Sequence, residues 1–110
     1  MGRNPATVEE VREAQQHFKE GVDLHEKKDF NEAIKLFQSA ASVSPFDEKH
    51  LDELKKKIKS GGFKLQQESI AYMGCAAVHL SRLVDELDDG QKEQVPVDEN
   101  LVKMFREWGN

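Results

Sequence analysis

The sequence predicts an all-α fold of about five helices, and three observations lead there. Apolar residues recur at intervals of three and four along most of the chain, the spacing that lines one face of a helix. Start and stop signals punctuate those stretches: Thr7-Val-Glu-Glu10, Asp29 with Glu32, Ser44-Pro45 and Gly61-Gly62. Charged residues make up 34% of the chain and β-branched runs are few, a composition that favours helix over strand.

The first helix is expected from Thr7 to about Lys28, with Thr7 and Glu10 as a reciprocal capping box. Val11, Ala14, Phe18, Gly21, Val22 and Leu24 fall on its apolar side, and Lys27-Lys28 suits the negative end of its dipole. Asp29 and Glu32 predict a second capping box, opening a helix that buries Phe30, Ala33, Ile34, Phe37, Ala40 and Ala41. Ser44 as N-cap and Pro45 in the first turn predict a third, with Leu51, Leu54 and Ile58 on a narrow stripe and Gly61-Gly62 as its end.

Residues 63–87 predict the longest helix. Leu65, Ile70, Met73, Ala77, Leu80, Val84 and Leu87 share one side, and Tyr72, Cys75, Ala76 and Leu83 widen the apolar surface. A helix apolar on most of its circumference is central, with neighbours on two or three sides. Residues 88–97 are expected to form a polar linker. Asp98 then caps a short last helix, 98–108, with Leu101, Met104, Phe105 and Trp108 on one face. Residues 1–6 are expected to be flexible, and the whole of 1–110 to form a single domain.

Residues 14–45 carry a more specific pattern: Gly21, Leu24, Ala33, Phe37, Ala40 and Pro45 stand at set intervals. This stretch resembles one tetratricopeptide repeat (TPR), keeping the family's Gly, Ala, Phe and Pro, with His17, Glu20 and Leu24 in place of its Trp, Leu and Tyr. The resemblance implies a helical hairpin in which Gly21 lies where the first helix approaches the second closely. A second full repeat is not found. Gly74 lies 53 residues beyond Gly21, against a period of about 34, and Glu86 and Gly90 occupy the places of the next Ala and Phe. The chain is therefore expected to complete its core with 46–87 as additional packing helices.

The same resemblance implies a protein–protein interaction module with no catalytic activity, whose first helix lines a concave ligand surface. Gln15, Phe18, Val22 and His25 are the expected partner-binding residues there, with Phe105 and Trp108 as a mobile or capping element. Phe18 and Val22 stand where chaperone-binding members of the family carry a Lys and an Asn that grip a carboxylate, which argues against that type of clamp. Burying each of these two side chains is worth ~1.5–3 kcal/mol, so something apolar should cover them. The helix at 63–87, the segment 98–108, a partner's amphipathic helix or a second protomer could each do so.

Composition narrows the function classes. The net charge of −5 argues against a nucleic-acid partner. No apolar run reaches the ~18–20 residues of a membrane span, and residues 1–20 lack the apolar core of a signal peptide. Cys75 has no second cysteine to pair with, which fits a reducing compartment and a cytoplasmic location. No phosphate loop, H-E-x-x-H or C-x-x-C motif is present, and the four histidines show no metal-ligand spacing, so neither enzyme nor cofactor is expected. Asp85 to Gly90 resembles the start of a calcium loop, but Leu87 and Pro96 fall on ligand places, so an acidic linker is the better reading. The lysines at 55, 56, 57, 59 and 64 are expected to pair with Asp47, Glu48, Asp52 and Glu53 or to stabilise their helix end. An adaptor that binds a peptide or amphipathic helix in an apolar groove is the leading reading. The alternative is an obligate subunit or homodimer whose apolar faces are buried only in an assembly.

Overall fold

The computed structural model describes residues 5–44, 48–95 and 103. The described residues form five helices and no strand: α1 (Val8–Glu26), α2 (Phe30–Ser42), α3 (Glu48–Gly61), α4 (Leu65–Asp85) and α5 (Asp89–Gln94). The fold is all-α, as the periodicity predicts.

Thr7 opens α1 as expected. Its hydroxyl accepts from the Glu10 N–H at 3.1 Å, and the Glu10 carboxylate accepts from the Thr7 N–H at 2.9 Å. At the other end, the Lys28 N–H donates to the His25 carbonyl and the Asp29 N–H to the Leu24 carbonyl, at 3.0 and 2.9 Å. This is a Schellman motif, with Lys28 at φ 67° in the place glycine usually takes. It also explains why the predicted box at Asp29 and Glu32 does not form. The Asp29 N–H is already committed to Leu24, and Glu32 pairs with Lys35 at 3.1 Å instead.

α1 and α2 pack as an antiparallel hairpin whose closest approach is at Gly21. A Cβ there would stand 2.6 Å from Cε1 of Phe37, a distance no real contact shows. Phe37 in turn packs on Phe18, with ring centroids 5.8 Å apart, and both side chains are fully buried. Ala33, Ala40 and Ala41 complete the buried stripe of α2, while Phe30 and Ile34 are half-buried.

The predicted N-cap of the third helix does not form at Ser44. Ser44 sits in the left-handed region at φ 46° rather than in the extended backbone of an N-cap, and α3 begins at Glu48. Pro45 lies outside the described residues. Gly62, at φ 63°, ends α3 as expected, and Phe63 folds back to within 2.7 Å of where a Gly61 side chain would begin.

α4 is the central helix, packing against α1, α2 and α3. His25 on the last turn of α1 meets Ser69 on the first turns of α4 at 2.7 Å, and the Ala6 N–H reaches Glu86 at 2.8 Å. These two contacts fix α1 and α4 as antiparallel. Tyr72 bonds Gln38 and His79 bonds Val43, so α4 runs in the same sense as α2. Stacked repeats place equivalent helices in the same sense. α4, antiparallel to α1, is therefore not the first helix of a second copy of the α1–α2 hairpin. Ser69, Tyr72, Met73, Ala76, Ala77, Leu80 and Leu83 are its buried face. Leu65, expected on that side, is 41% exposed because it is the first residue of the helix, beyond the end of the core.

Two segments expected to be loose are tied down. Ala6 is buried and bonded to Glu86, whereas residues 1–4 lie outside the described residues. Within the predicted 88–97 linker, Asp88 caps α5 through a reciprocal box with Gln91, at 2.8 and 3.0 Å. Arg12 then bonds the Gln94 carbonyl at 2.9 Å, while Leu87 and Val95 bury their side chains. The predicted helix 98–108 lies outside the described residues apart from Lys103. No helix among the described residues is long and apolar enough to cross a membrane.

Candidate functional site

The structure does not leave the inner face of α1 open. Phe18 is fully buried in the chain's own core, Gln15 is 9% exposed, and Val22 and His25 are half-buried. The His25 ring is engaged by the buried hydroxyl of Ser69 on α4 and by the Phe30 ring, whose centroid is 5.2 Å away. The cover expected from the long helix is thus in place at this end of α1, and three-helix packing of α1, α2 and α4 replaces an open groove. Phe105 and Trp108 lie outside the described residues.

An open apolar cleft lies elsewhere, on the far side of α4, where α3 stands off from it. Its volume is about 420 Å³, within the ~300–1,000 Å³ typical of ligand sites. Ala71, Gly74, Cys75 and Val78 form its floor, Leu51 and Leu54 its α3 wall, and Ala41 closes the side toward α2. His50, His79 and Arg82 supply its polar edge. The spacing 71, 74, 75, 78 and 82 is one continuous face of α4, turned away from the face that carries Ser69, Met73, Ala76 and Leu80.

His79 and Cys75 at the cleft have physical roles that the fold assigns. His79 Nε2 lies 2.6 Å from the Val43 carbonyl oxygen. A carbonyl can only accept, so Nε2 carries the proton, and the ring holds the end of α2 against α4. Cys75 is half-buried, and burial pushes its thiol above the ordinary value, with the Arg82 guanidinium opposing that shift. The thiol is therefore a packed, weakly nucleophilic group at neutral pH rather than an activated one. On the other flank of α4, burial likewise raises the Tyr72 phenol, opposed by its hydrogen bond to Gln38.

Sequence reasoning assigned none of these cleft residues a binding role, although the signal was present. The predicted helix 63–87 is apolar around most of its circumference and carries small residues through its middle. One of its faces was bound to remain after α1 and α2 were covered. Which face stays open depends on how far α3 stands from α4, and no local pattern encodes that distance. Of the two expectations for the α3 lysines, pairing is not seen, while Lys59 does lie in the last turn of the helix. Lys55, Lys56, Lys57 and Lys59 are exposed, and among the described residues none is in an ion pair. Lys55, Lys56 and Lys57 each stand i+3 or i+4 from Asp52 or Glu53, yet pairing long exposed side chains loses more entropy than a surface pair returns.

No protein-family model, curated protein or solved structure matches this chain.

Proposed function

We propose that this chain is a non-catalytic protein–protein interaction module of TPR-like build, which receives an amphipathic helix or peptide in the cleft between α3 and α4. The observation that carries the reading is the cleft itself. Among the described residues an apolar hollow is floored by Ala71, Gly74, Cys75 and Val78 and walled by Leu51 and Leu54. Contiguous apolar hollows with a few polar groups at the edge are where ligands dock. The hairpin's close approach at Gly21 and Phe37 supports the TPR-like part of the reading.

This reading moves the docking surface from the inner face of α1, where Phe18 is buried, to the outer face of α4. The same burial weakens the alternative of an obligate assembly. Phe18 is satisfied within one chain, and Leu65 is the one large apolar side chain that stands exposed among the described residues. The test is a titration of the ¹⁵N-labelled chain with a panel of amphipathic helical peptides, followed by amide shifts. Shifts concentrated at Leu51, Leu54, Ala71, Gly74 and Val78 are expected. Shifts confined to α1, or none with any peptide, would overturn the assignment.

A further inference from the structure

Given the docking surface proposed above, the chain itself carries a segment of matching length and pattern. Residues 98–108 place Leu101, Met104, Phe105 and Trp108 on one helical edge. Lys103, inside that segment, is helical and exposed, and it lies on the side opposite the apolar edge. A helix this short is marginal alone and holds when its apolar edge is buried. The cleft floor follows α4 from Ala71 to Arg82, a rise of roughly 16 Å, and residues 98–108 rise about as far. Ala71, Gly74 and Cys75 are small. They leave room for Phe105 and Trp108, large residues meeting small ones as close helix packing requires.

The path of the chain leads to the same place. The Ala6 N–H bonds the Glu86 carboxylate, so α1 starts beside the end of α4. Arg12 bonds the Gln94 carbonyl, which brings α5 and the buried Val95 back to that end. Arg82, in the last turn of α4, stands at the same end of the cleft. From Val95 to Asp98 the chain can reach ~10 Å, about the width of one helix. The segment can therefore enter beside Arg82 and run back along α4 toward Ala71.

Charge does not choose the occupant. The segment sets Asp98, Glu99 and Glu107 against Lys103 and Arg106. The same face of α4 sets Arg82 against Glu68 and Asp85. Attachment does choose. A tethered segment meets its site at an effective concentration of about millimolar, so it fills the cleft ahead of any more dilute peptide of similar affinity. We propose that residues 98–108 dock in cis in the α3–α4 cleft through Leu101, Met104, Phe105 and Trp108, and that a partner gains the cleft by displacing them.

Cys75, the only cysteine, lies in the floor and reports this cover. Its rate of modification by a small thiol reagent would be measured in the full chain. Phe105→Ala with Trp108→Ala should raise that rate about tenfold or more, the least that losing one buried aromatic anchor gives. A synthetic peptide of residues 98–108, added at millimolar concentration, should restore the slow rate, and the same peptide with both alanines should not. This rescue separates uncovering from misfolding: a raised rate that the peptide fails to lower would overturn the proposal. Dilution of the unchanged chain should leave its rate constant. A rate that climbs on dilution would place the segment in a second copy and overturn the cis contact. If the double variant reacts no faster, self-occupancy falls. The cleft reading then survives if an amphipathic peptide still protects Cys75, and falls as well if none does.

Discussion

At Gly21 two effects of opposite sign meet, and magnitudes decide between them. Replacing a glycine inside a helix by alanine favours the helix by ~1 kcal/mol. Here the new methyl would stand 2.6 Å from a ring carbon of Phe37. Phe37 is fully buried against Phe18 and cannot swing away. Overpacking of this kind costs about 1–3 kcal/mol, so Gly21→Ala should lower the urea midpoint. In a Phe37→Leu background the same change should cost less, because the clashing ring atoms are gone. Equal costs in both backgrounds would show that the contact with Phe37 is not what keeps Gly21 a glycine. The sequence pattern pointed correctly to a close helix approach at Gly21, and the structure supplies Phe37 as the residue that meets it. It pointed wrongly to Phe18 as a ligand contact. An apolar residue on an inner face looks the same whether a partner or the chain's own helix covers it.

Helix ends show most directly what local sequence specifies. The α1 cap at Thr7 and Glu10 was legible because both halves of the box are free to form. The same four-letter logic failed at Asp29, since the turn before it had already taken the Asp29 N–H. Asp88 and Gln91 form a third box that the sequence also contains, but DGQKEQ has no apolar periodicity to mark a helix behind it. Its packing comes instead from Leu87 and Val95 on either side. The turn at Lys28 gives the prediction that belongs to this scale. Lys28 holds φ 67° with an exposed side chain, so it bears the left-handed strain without any visible packing return. That conformation costs a non-glycine residue roughly 1–2 kcal/mol, whereas glycine's added freedom in the unfolded chain offsets about half of any gain. Lys28→Gly should therefore stabilise the protein by about 0.5–1 kcal/mol, seen as a rise in the melting temperature. A fall would mean that the Lys28 charge at the end of the α1 dipole matters more than the backbone strain.

Across the whole molecule, stability is unevenly shared, and the uneven part adjoins the cleft. α1, α2 and α4 enclose the continuous core, whereas α3 packs chiefly on α4. Its attachment is one buried side chain, Ile58, and the half-buried Leu51 and Leu54. Full burial of one aliphatic side chain is worth ~1.5–3 kcal/mol, while a domain of this size holds roughly 5–15 kcal/mol overall. α3 should thus open at a lower free energy than the rest of the chain unfolds. Native-state hydrogen exchange should find α3 amides at least about tenfold less protected than those at Ala76 to Leu83 of α4, tenfold being ~1.4 kcal/mol. Ile58→Ala should raise α3 exchange further and leave the middle of α4 slow. Uniform protection across α3 and α4, or an Ile58→Ala effect spread evenly over both, would make α3 part of the global unit and the cleft a rigid one. A separable α3 gives the cleft one movable wall, with Leu51 and Leu54 shifting against a floor that the core holds fixed. Ordering that wall would then cost part of the binding free energy. An occupied cleft should slow α3 exchange well before it changes any amide of α1.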